Sequence, residues 1–138
     1  MLKQRLIHPE ILDALAGAGH GSQVLITDGN YPAATKLGEN AALVYLNLAP
    51  GKPTVTEVLE TLLTAIPVED AAVMVPDEGP EPPIFQEFRN LMPGAPLTEF
   101  SRFEFYEEAS SPDTCLLIVT GEQRIYANLL LTIGVVMP

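Results

Sequence analysis

Apolar positions along this chain follow two spacings, and the changes between them mark its elements. Residues 23–27, Gln-Val-Leu-Ile-Thr, form a short apolar run bounded by Ser22 and Asp28, as expected of a buried strand. Residues 42–48 repeat that character and are closed by Pro50-Gly51; residues 71–75 make a third strand, and 114–119 and 128–136 the last two strong ones. Elsewhere the spacing is helical. Val55, Val58, Leu59, Leu62, Leu63 and Ile66 share one face, opened by the capping box Thr54-Val55-Thr56-Glu57 and stopped by Pro67. A shorter stripe, Ile11, Leu12 and Leu15, starts at Pro9-Glu10 and ends at Gly17 and Gly19. Residues 82–91 predict a third helix with Ile84, Phe85 and Phe88 inward. The second capping box, Ser101-Arg102-Phe103-Glu104, opens a fourth helix reaching about Ala109. Residues 77–83, rich in proline and acid, read as a surface loop.

Strands alternating with helices predict an α/β fold: a single three-layer α/β/α domain over residues 1–138 with a mostly parallel sheet. In such sheets ligands bind beyond the carboxyl ends of the strands. Asp28 stands at such a position.

Composition narrows the function. Eighteen acidic against seven basic residues give a net charge of −11, which disfavours nucleic acid and anionic membrane surfaces and favours solubility. No apolar run approaches the roughly 18 residues of a membrane span, and no apolar segment follows the basic Met1-Leu2-Lys3-Gln4-Arg5 start, so a cytoplasmic location is expected. The single cysteine, Cys115, lies in an apolar run and reads as a buried structural thiol of a reducing compartment. The two histidines and one cysteine lack the spacing of a metal site, and no phosphate loop, dinucleotide fingerprint or serine elbow is present. No cofactor is expected.

Few residues remain to carry chemistry. His8, ahead of Pro9, reads as a surface or packing residue. His20 stands between Gly19 and Gly21, which leave it unshielded; a general acid–base role competes there with a plain loop histidine. Asp28 is either a ligand carboxylate or an Asp-Gly turn residue. Tyr126 and Asn128, two apart, would share a face if extended, giving either a polar lining for a hydroxyl-rich ligand or a cross-strand pair. Arg102 sits at a helix N-terminus, where the dipole disfavours a cation, so a salt bridge or ligand contact is expected of it. Phe103, Phe105 and Tyr106 read as core or interface residues, and Glu122 as a turn residue after Thr120-Gly121.

Taken together, Met1-Leu2-Lys3, His8-Pro9-Glu10-Ile11-Leu12, Gly19-His20-Gly21, residues 28–32, Arg102-Phe103-Glu104-Phe105-Tyr106-Glu107, Thr120-Gly121-Glu122, Tyr126-Ala127-Asn128 and Gly134-Val135 resemble, in order and spacing, the family of small sugar-handling proteins that contains ribose pyranase and fucose mutarotase. The middle third, about residues 38–97, matches loosely. The resemblance implies a cofactor-independent isomerase that interconverts anomers or ring forms of a free monosaccharide. It matches His20 to the proton donor, and Asp28, Arg102, Tyr126, Ala127 and Asn128 to sugar-binding residues, with Tyr106 beside them in the arginine motif. Arg-Phe-x-Phe-Tyr-Glu is closer to the fucose branch, and Tyr-Ala-Asn closer to the ribose branch. The expected substrate is L-fucose or a related sugar. The alternatives are a ribose-type pyranase and a noncatalytic sugar-binding component associated with transport. The resemblance also implies a homo-oligomer, a ring-based decamer with sites at subunit contacts. Strand geometry agrees: eight steps from His20 to Asp28 at about 3.3 Å each span on the order of 25 Å, too far for one monosaccharide to touch both unless the glycine-rich loop folds back.

Overall fold

Strict alternation in the central strands sorts their side chains into two layers. In the computed structural model, which describes residues 1–138, β1 (Gln23–Thr27) sends Val24 and Ile26 to one face and Leu25 to the other. The same split holds for β5 (Thr114–Val119), with Leu116 and Ile118 opposite Leu117 and Val119. It recurs in β6 (Leu129–Ile133), with Leu129, Leu131 and Ile133 opposite Leu130. Strands buried on both faces need cover on both faces, and the helices supply it unequally.

One face is roofed by α1 (Pro9–Gly17), α2 (Val55–Leu62) and α3 (Ile84–Leu91), which contribute Ile11, then Val55, Val58, Leu59 and Leu62, then Ile84, Phe85 and Phe88 to the larger core. The other face is covered by α4 (Arg102–Ala109) through Phe105 and Ala109, and by the loop carrying Tyr31 and Ala33. The three layers predicted from sequence are therefore present. Both capping boxes form as read: Glu57 N–H donates to Thr54 Oγ1 at 3.2 Å while Thr54 N–H donates back to Glu57 at 2.7 Å. Glu104 likewise accepts from Ser101 N–H at 3.0 Å. His8 caps α1, its Nδ1 accepting from Ile11 N–H at 3.4 Å.

The sheet has the order β2-β5-β1-β6-β3-β4, with β2 (Ala42–Tyr45), β3 (Val68–Met74) and β4 (Leu97–Phe100) completing it. Pairing is parallel for β2–β5, β5–β1 and β3–β4, and antiparallel where β6 meets β1 and β3. All strands except β6 thus run the same way. β4 is absent from the sequence reading: Leu97-Thr98-Glu99-Phe100 is a four-residue edge strand with no buried residue, and only its ladder to β3 defines it. The last strand is shorter than residues 128–136, because Gly134 N–H turns to the Pro67 carbonyl and Val135 and Val136 are exposed. Cys115 is half-buried, and its thiol donates to the Gln23 carbonyl at 3.3 Å. Burial pushes that thiol up, away from the reactive thiolate.

Candidate active site

Uniform strand direction gathers several loops at one end of the sheet. Asp28 leaves the carboxyl end of β1, Met74 ends β3, Arg102 opens α4 just beyond β4, and residues 120–128 join β5 to β6 there. Together Asp28, Asn30, Tyr31, Met74, Arg102, Tyr106, Ile125, Tyr126 and Asn128 line an open cleft of about 340 Å³. That is the volume range of small-ligand sites.

The floor is a reciprocal amide–carboxylate pair. Asp28 N–H donates to Asn128 Oδ1 at 3.0 Å, and Asn128 Nδ2 donates to Asp28 Oδ2 at 3.2 Å. Asp28 Oδ1 also accepts from Asn30 N–H at 2.9 Å, closing the Asp-Gly-Asn turn. Both side chains are buried, Asp28 to 3% exposure and Asn128 to 4%. Burial raises the Asp28 carboxyl above its ordinary value, and the hydrogen bonds from Asn30, Asn128 and their neighbours only partly offset it. Asp28 is thus a turn residue whose buried carboxylate also lines the cleft.

One wall is aromatic and cationic. The Tyr31 ring meets Tyr106 edge-on at 5.5 Å and Phe105 at 6.4 Å, and the Lys36 ammonium lies 5.7 Å from the Tyr106 ring centre. Arg102, from the first turn of α4, reaches across with Nη2 3.4 Å from the Tyr126 hydroxyl. That neighbour raises the guanidinium further above its ordinary value, so it is a permanent cation facing the cleft. The contact explains a basic residue at an otherwise unfavourable helix end.

Tyr126 corrects the sequence reading. The segment is not extended: Tyr126 has φ +61°, in the left-handed region, while β6 begins only at Leu129. Such a backbone costs a bulky residue on the order of 1–3 kcal/mol and persists only where its surroundings impose it. The phenol and the Asn128 amide still line one cleft, brought there by a turn rather than by strand alternation. Ala127 between them is fully buried in the larger core, so its side chain faces away from the cleft and only its backbone can serve a ligand.

His20 lies at the other end of β1. Its Nε2 contacts both carboxylate oxygens of Glu69, at 3.0 and 2.9 Å, where β3 begins. Both side chains are open to solvent, at 58% and 44% exposure. The glycine-rich loop does not fold back: Gly21 N–H donates to the Ile133 carbonyl and holds the loop at the amino end. Gly21 has φ +83°, which favours glycine there, whereas a side chain at Gly19 would meet open space. Five predicted side chains, those of Asp28, Arg102, Tyr106, Tyr126 and Asn128, therefore converge, and His20 and Ala127 stand apart.

Sequence reasoning missed Glu69 and, in the cleft lining, Asn30, Tyr31, Met74 and Ile125. The only local signal for Glu69 was a charge at the start of a strand. Met74 and Ile125 join the cleft through tertiary packing alone. No group of three or more His, Cys, Asp or Glu side chains is arranged to hold a metal ion, and no helix is long and apolar enough to cross a membrane.

The chain is similar to proteins of known activity. The human (Homo sapiens) fucose mutarotase is 32% identical over 146 aligned residues, covering 94% of this chain and 90% of that protein. The D-ribose pyranase of Symbiobacterium thermophilum is 32% identical over 135 residues, covering 98% of each. The crystal structure of the fucose mutarotase from Streptococcus pneumoniae in complex with L-fucose superposes with a TM-score of 0.84 at 26% identity, over 99% of this chain and 100% of that one. A family model matches residues 1–136, and on that match the chain belongs to the RbsD / FucU transport protein family.

Proposed function

We propose that this chain is a cofactor-independent isomerase, a mutarotase that interconverts the anomers of a free monosaccharide of the L-fucose type. The observation that carries the reading is the convergence of Asp28, Arg102, Tyr126 and Asn128 in one cleft of monosaccharide size. A carboxylate, an amide, a phenol and a fixed guanidinium offer the mixed donors and acceptors that a polyhydroxylated ring needs.

The reaction requires two proton transfers. A base removes the proton from the anomeric hydroxyl while an acid protonates the ring oxygen; the bond from C1 to that oxygen breaks and C1 becomes an aldehyde. Rotation about C1–C2 and return of the ring hydroxyl to the other face of C1 reverses both transfers. Histidine suits one of them because free imidazole titrates near working pH, at about 6.5. His20 takes that role, with Glu69 orienting its ring at 2.9 Å. Tyr126, beside Arg102, is the candidate for the other transfer.

His20 cannot reach its own cleft across a span on the order of 25 Å. We therefore assign each site to two copies, one giving His20 and the other the cleft, within the ring-based decamer that the family resemblance implies. Exposed apolar residues lie at both ends of the sheet, Val135, Val136 and Met137 after β6 at the end that carries His20, and Phe103 and Ile125 at the cleft end, and they suit such a contact. The test mixes inactive His20→Gln subunits with inactive Asn128→Ala subunits after dissociation. Random reassembly should restore about a quarter of wild-type exchange, since each site draws an intact His20 half about half the time and an intact cleft half about half the time, independently. No recovery in verified mixed oligomers would remove the shared site.

Arg102 and the apolar wall of Tyr31, Met74 and Ile125 favour a deoxyhexose, whose methyl group such a wall can shelter. The second reading is a ribose-type pyranase, favoured by the Tyr126-Ala127-Asn128 segment and by the similarity to the Symbiobacterium protein. Saturation-transfer NMR over free sugars decides between them: faster exchange with D-ribose than with L-fucose selects the pyranase.

A further inference from the structure

One buried carboxylate lies outside the mechanism above and is more completely satisfied than any group in the cleft. Glu122, 4% exposed, follows β5. Its Oε1 accepts from Gln123 N–H at 3.1 Å, Arg124 N–H at 3.1 Å and Arg124 Nε at 3.0 Å. Its Oε2 accepts from Arg124 Nη2 at 2.8 Å and from Val55 N–H, in the first turn of α2, at 3.3 Å. Arg124 in turn reaches Glu87 of α3 through Nη1 at 2.8 Å. The backbone is tied as tightly. The Glu122 carbonyl accepts from Gly29 N–H at 2.9 Å, next to Asp28, and Thr120 N–H and Oγ1 both donate to the Thr27 carbonyl, at 3.1 and 2.7 Å. Gly121 has no room for a side chain: a Cβ there would stand 2.3 Å from the carbonyl oxygens of Ala49 and Lys52.

Residues 120–124 are therefore fixed to β1, α2, α3 and the 49–53 loop together. At the far end, Ala127 is fully buried and Asn128 is paired to Asp28. Only Ile125 and Tyr126 lie between these two anchors. A two-residue bridge between fixed points has little conformational choice, and this one carries the left-handed Tyr126.

We propose that Glu122 is a positioning residue: with Arg124 it clamps the start of this bridge and so sets the Tyr126 hydroxyl in the cleft beside Arg102. The inference rests on the assignment of Tyr126 to the site, and it adds a group that touches no substrate. It also gives the Thr120-Gly121-Glu122 motif a role: a tie to β1, a close approach and a clamp.

The test is a double-mutant cycle with an activity-independent arm. Glu122→Gln keeps the shape and removes the charge. Anomeric exchange should fall about ten- to a hundredfold in kcat/KM, the scale of a misplaced catalytic group. In a Tyr126→Phe background the same change should cost less than about twofold, because the hydroxyl it places is already gone. Arg124→Met, which leaves three backbone donors on Glu122, is the milder variant if Glu122→Gln folds poorly, and it should show the same non-additivity. Val58→Ala, which loosens α2 from within, should leave kcat/KM unchanged at a temperature where it is folded. In amide NMR spectra, Glu122→Gln should move or broaden Ile125 and Tyr126 while Leu25 and Leu130 at the sheet centre stay in place. Equal losses in both backgrounds, or unmoved Ile125 and Tyr126 amides, overturn the clamp. If the wild-type protein exchanges no sugar, the functional reading fails and the NMR arm still tests the clamp.

Discussion

The two ends of β1 are built on opposite principles. At the carboxyl end, Asp28 and Asn128 are buried, mutually hydrogen-bonded and backed by the Glu122 clamp. At the amino end, His20 sits in a glycine-flanked loop and hydrogen-bonds to Glu69, both side chains open to solvent. Recognition groups gain from rigidity, because a preorganised cleft spends no binding energy on ordering itself. On the proposed shared site, a proton-transferring group that enters another copy's cleft would gain from projecting away from its own fold. An exposed histidine in a single chain looks like a poor catalyst, and the proposed shared site would give it working surroundings from a neighbour.

The sharpest way to break this comparison is His20→Gln. The His20 side chain is mostly open to solvent and its bond to Glu69 is exposed, so the thermal midpoint should hold, while exchange of the preferred sugar falls by roughly 10²-fold or more. Sugar binding, read by ligand-observed NMR, should survive because the cleft is untouched. Near-wild-type exchange would reduce the amino end to a surface loop.

The carboxyl end should fail differently, through stability and pH. Burial would raise the Glu122 carboxyl, but its bonds and charge interaction with Arg124, helped by the Val55 N–H, hold it below its ordinary value of 4.5. A carboxylate lowered in the folded state adds stability above its unfolded pKa and loses it as pH falls through the folded value. Wild-type protein should therefore be more stable than Glu122→Gln by about 2 kcal/mol at pH 7, and the gap should close as pH drops below about 4. Asp28 has the reverse sign: its raised carboxyl favours the fold at low pH and loses that contribution as pH climbs past the ordinary 3.8 toward the raised value. Denaturant melts of the two proteins across this range measure the difference, and a constant gap would mean that the Glu122 charge does not matter.

The contrast also explains what the sequence revealed. The helices were legible because their signals are local: Thr54 with Glu57 and Ser101 with Glu104 satisfy amides within one turn, and Pro9 at a helix start removes a donor that would have no partner there. The central strands were legible because burial on both faces demands continuous apolar runs. β4 was not, since an exposed edge strand has no such demand and exists only through its ladder to β3. In the cleft, the motif residues identified the polar groups, but the condition that residues 126–128 be extended fails, because Tyr126 takes a left-handed turn between segments anchored to distant parts of the chain, Glu122 to Val55 and Asn128 to Asp28. Glu69 was invisible for the same reason: 49 residues separate it from His20, and only the sheet brings them together.

A smaller effect probes how well the rigid end is satisfied. Tyr31 is 7% exposed, and its hydroxyl is buried without a hydrogen-bond partner. Burial pushes that hydroxyl far above the ordinary phenol value, with Tyr106 adding to it, so it stays neutral. An unmade buried bond costs about 1–3 kcal/mol, and removing the group relieves it. Tyr31→Phe should raise stability by about 1 kcal/mol with little change in exchange rate. A loss of stability would reveal a partner for the hydroxyl and a less rigid wall than the ring packing suggests.

The smallest effect belongs to Glu69, and it decides which group at the amino end carries the proton. An exposed ion pair is worth under about 1 kcal/mol, since water screens it and both side chains lose freedom to form it. If Glu69 only orients the His20 ring, Glu69→Gln should lower kcat by at most about fivefold and leave KM unchanged, because no substrate contact is lost. His20→Gln in the same background should then still cost most of its full factor, since the imidazole remains the acid–base group whichever way it is turned. The opposite pattern, Glu69→Gln as damaging as His20→Gln and no further loss when the two are combined, would make the carboxylate the proton carrier. The histidine would then be its support, and the comparison between the two ends would stand with the roles at the amino end exchanged.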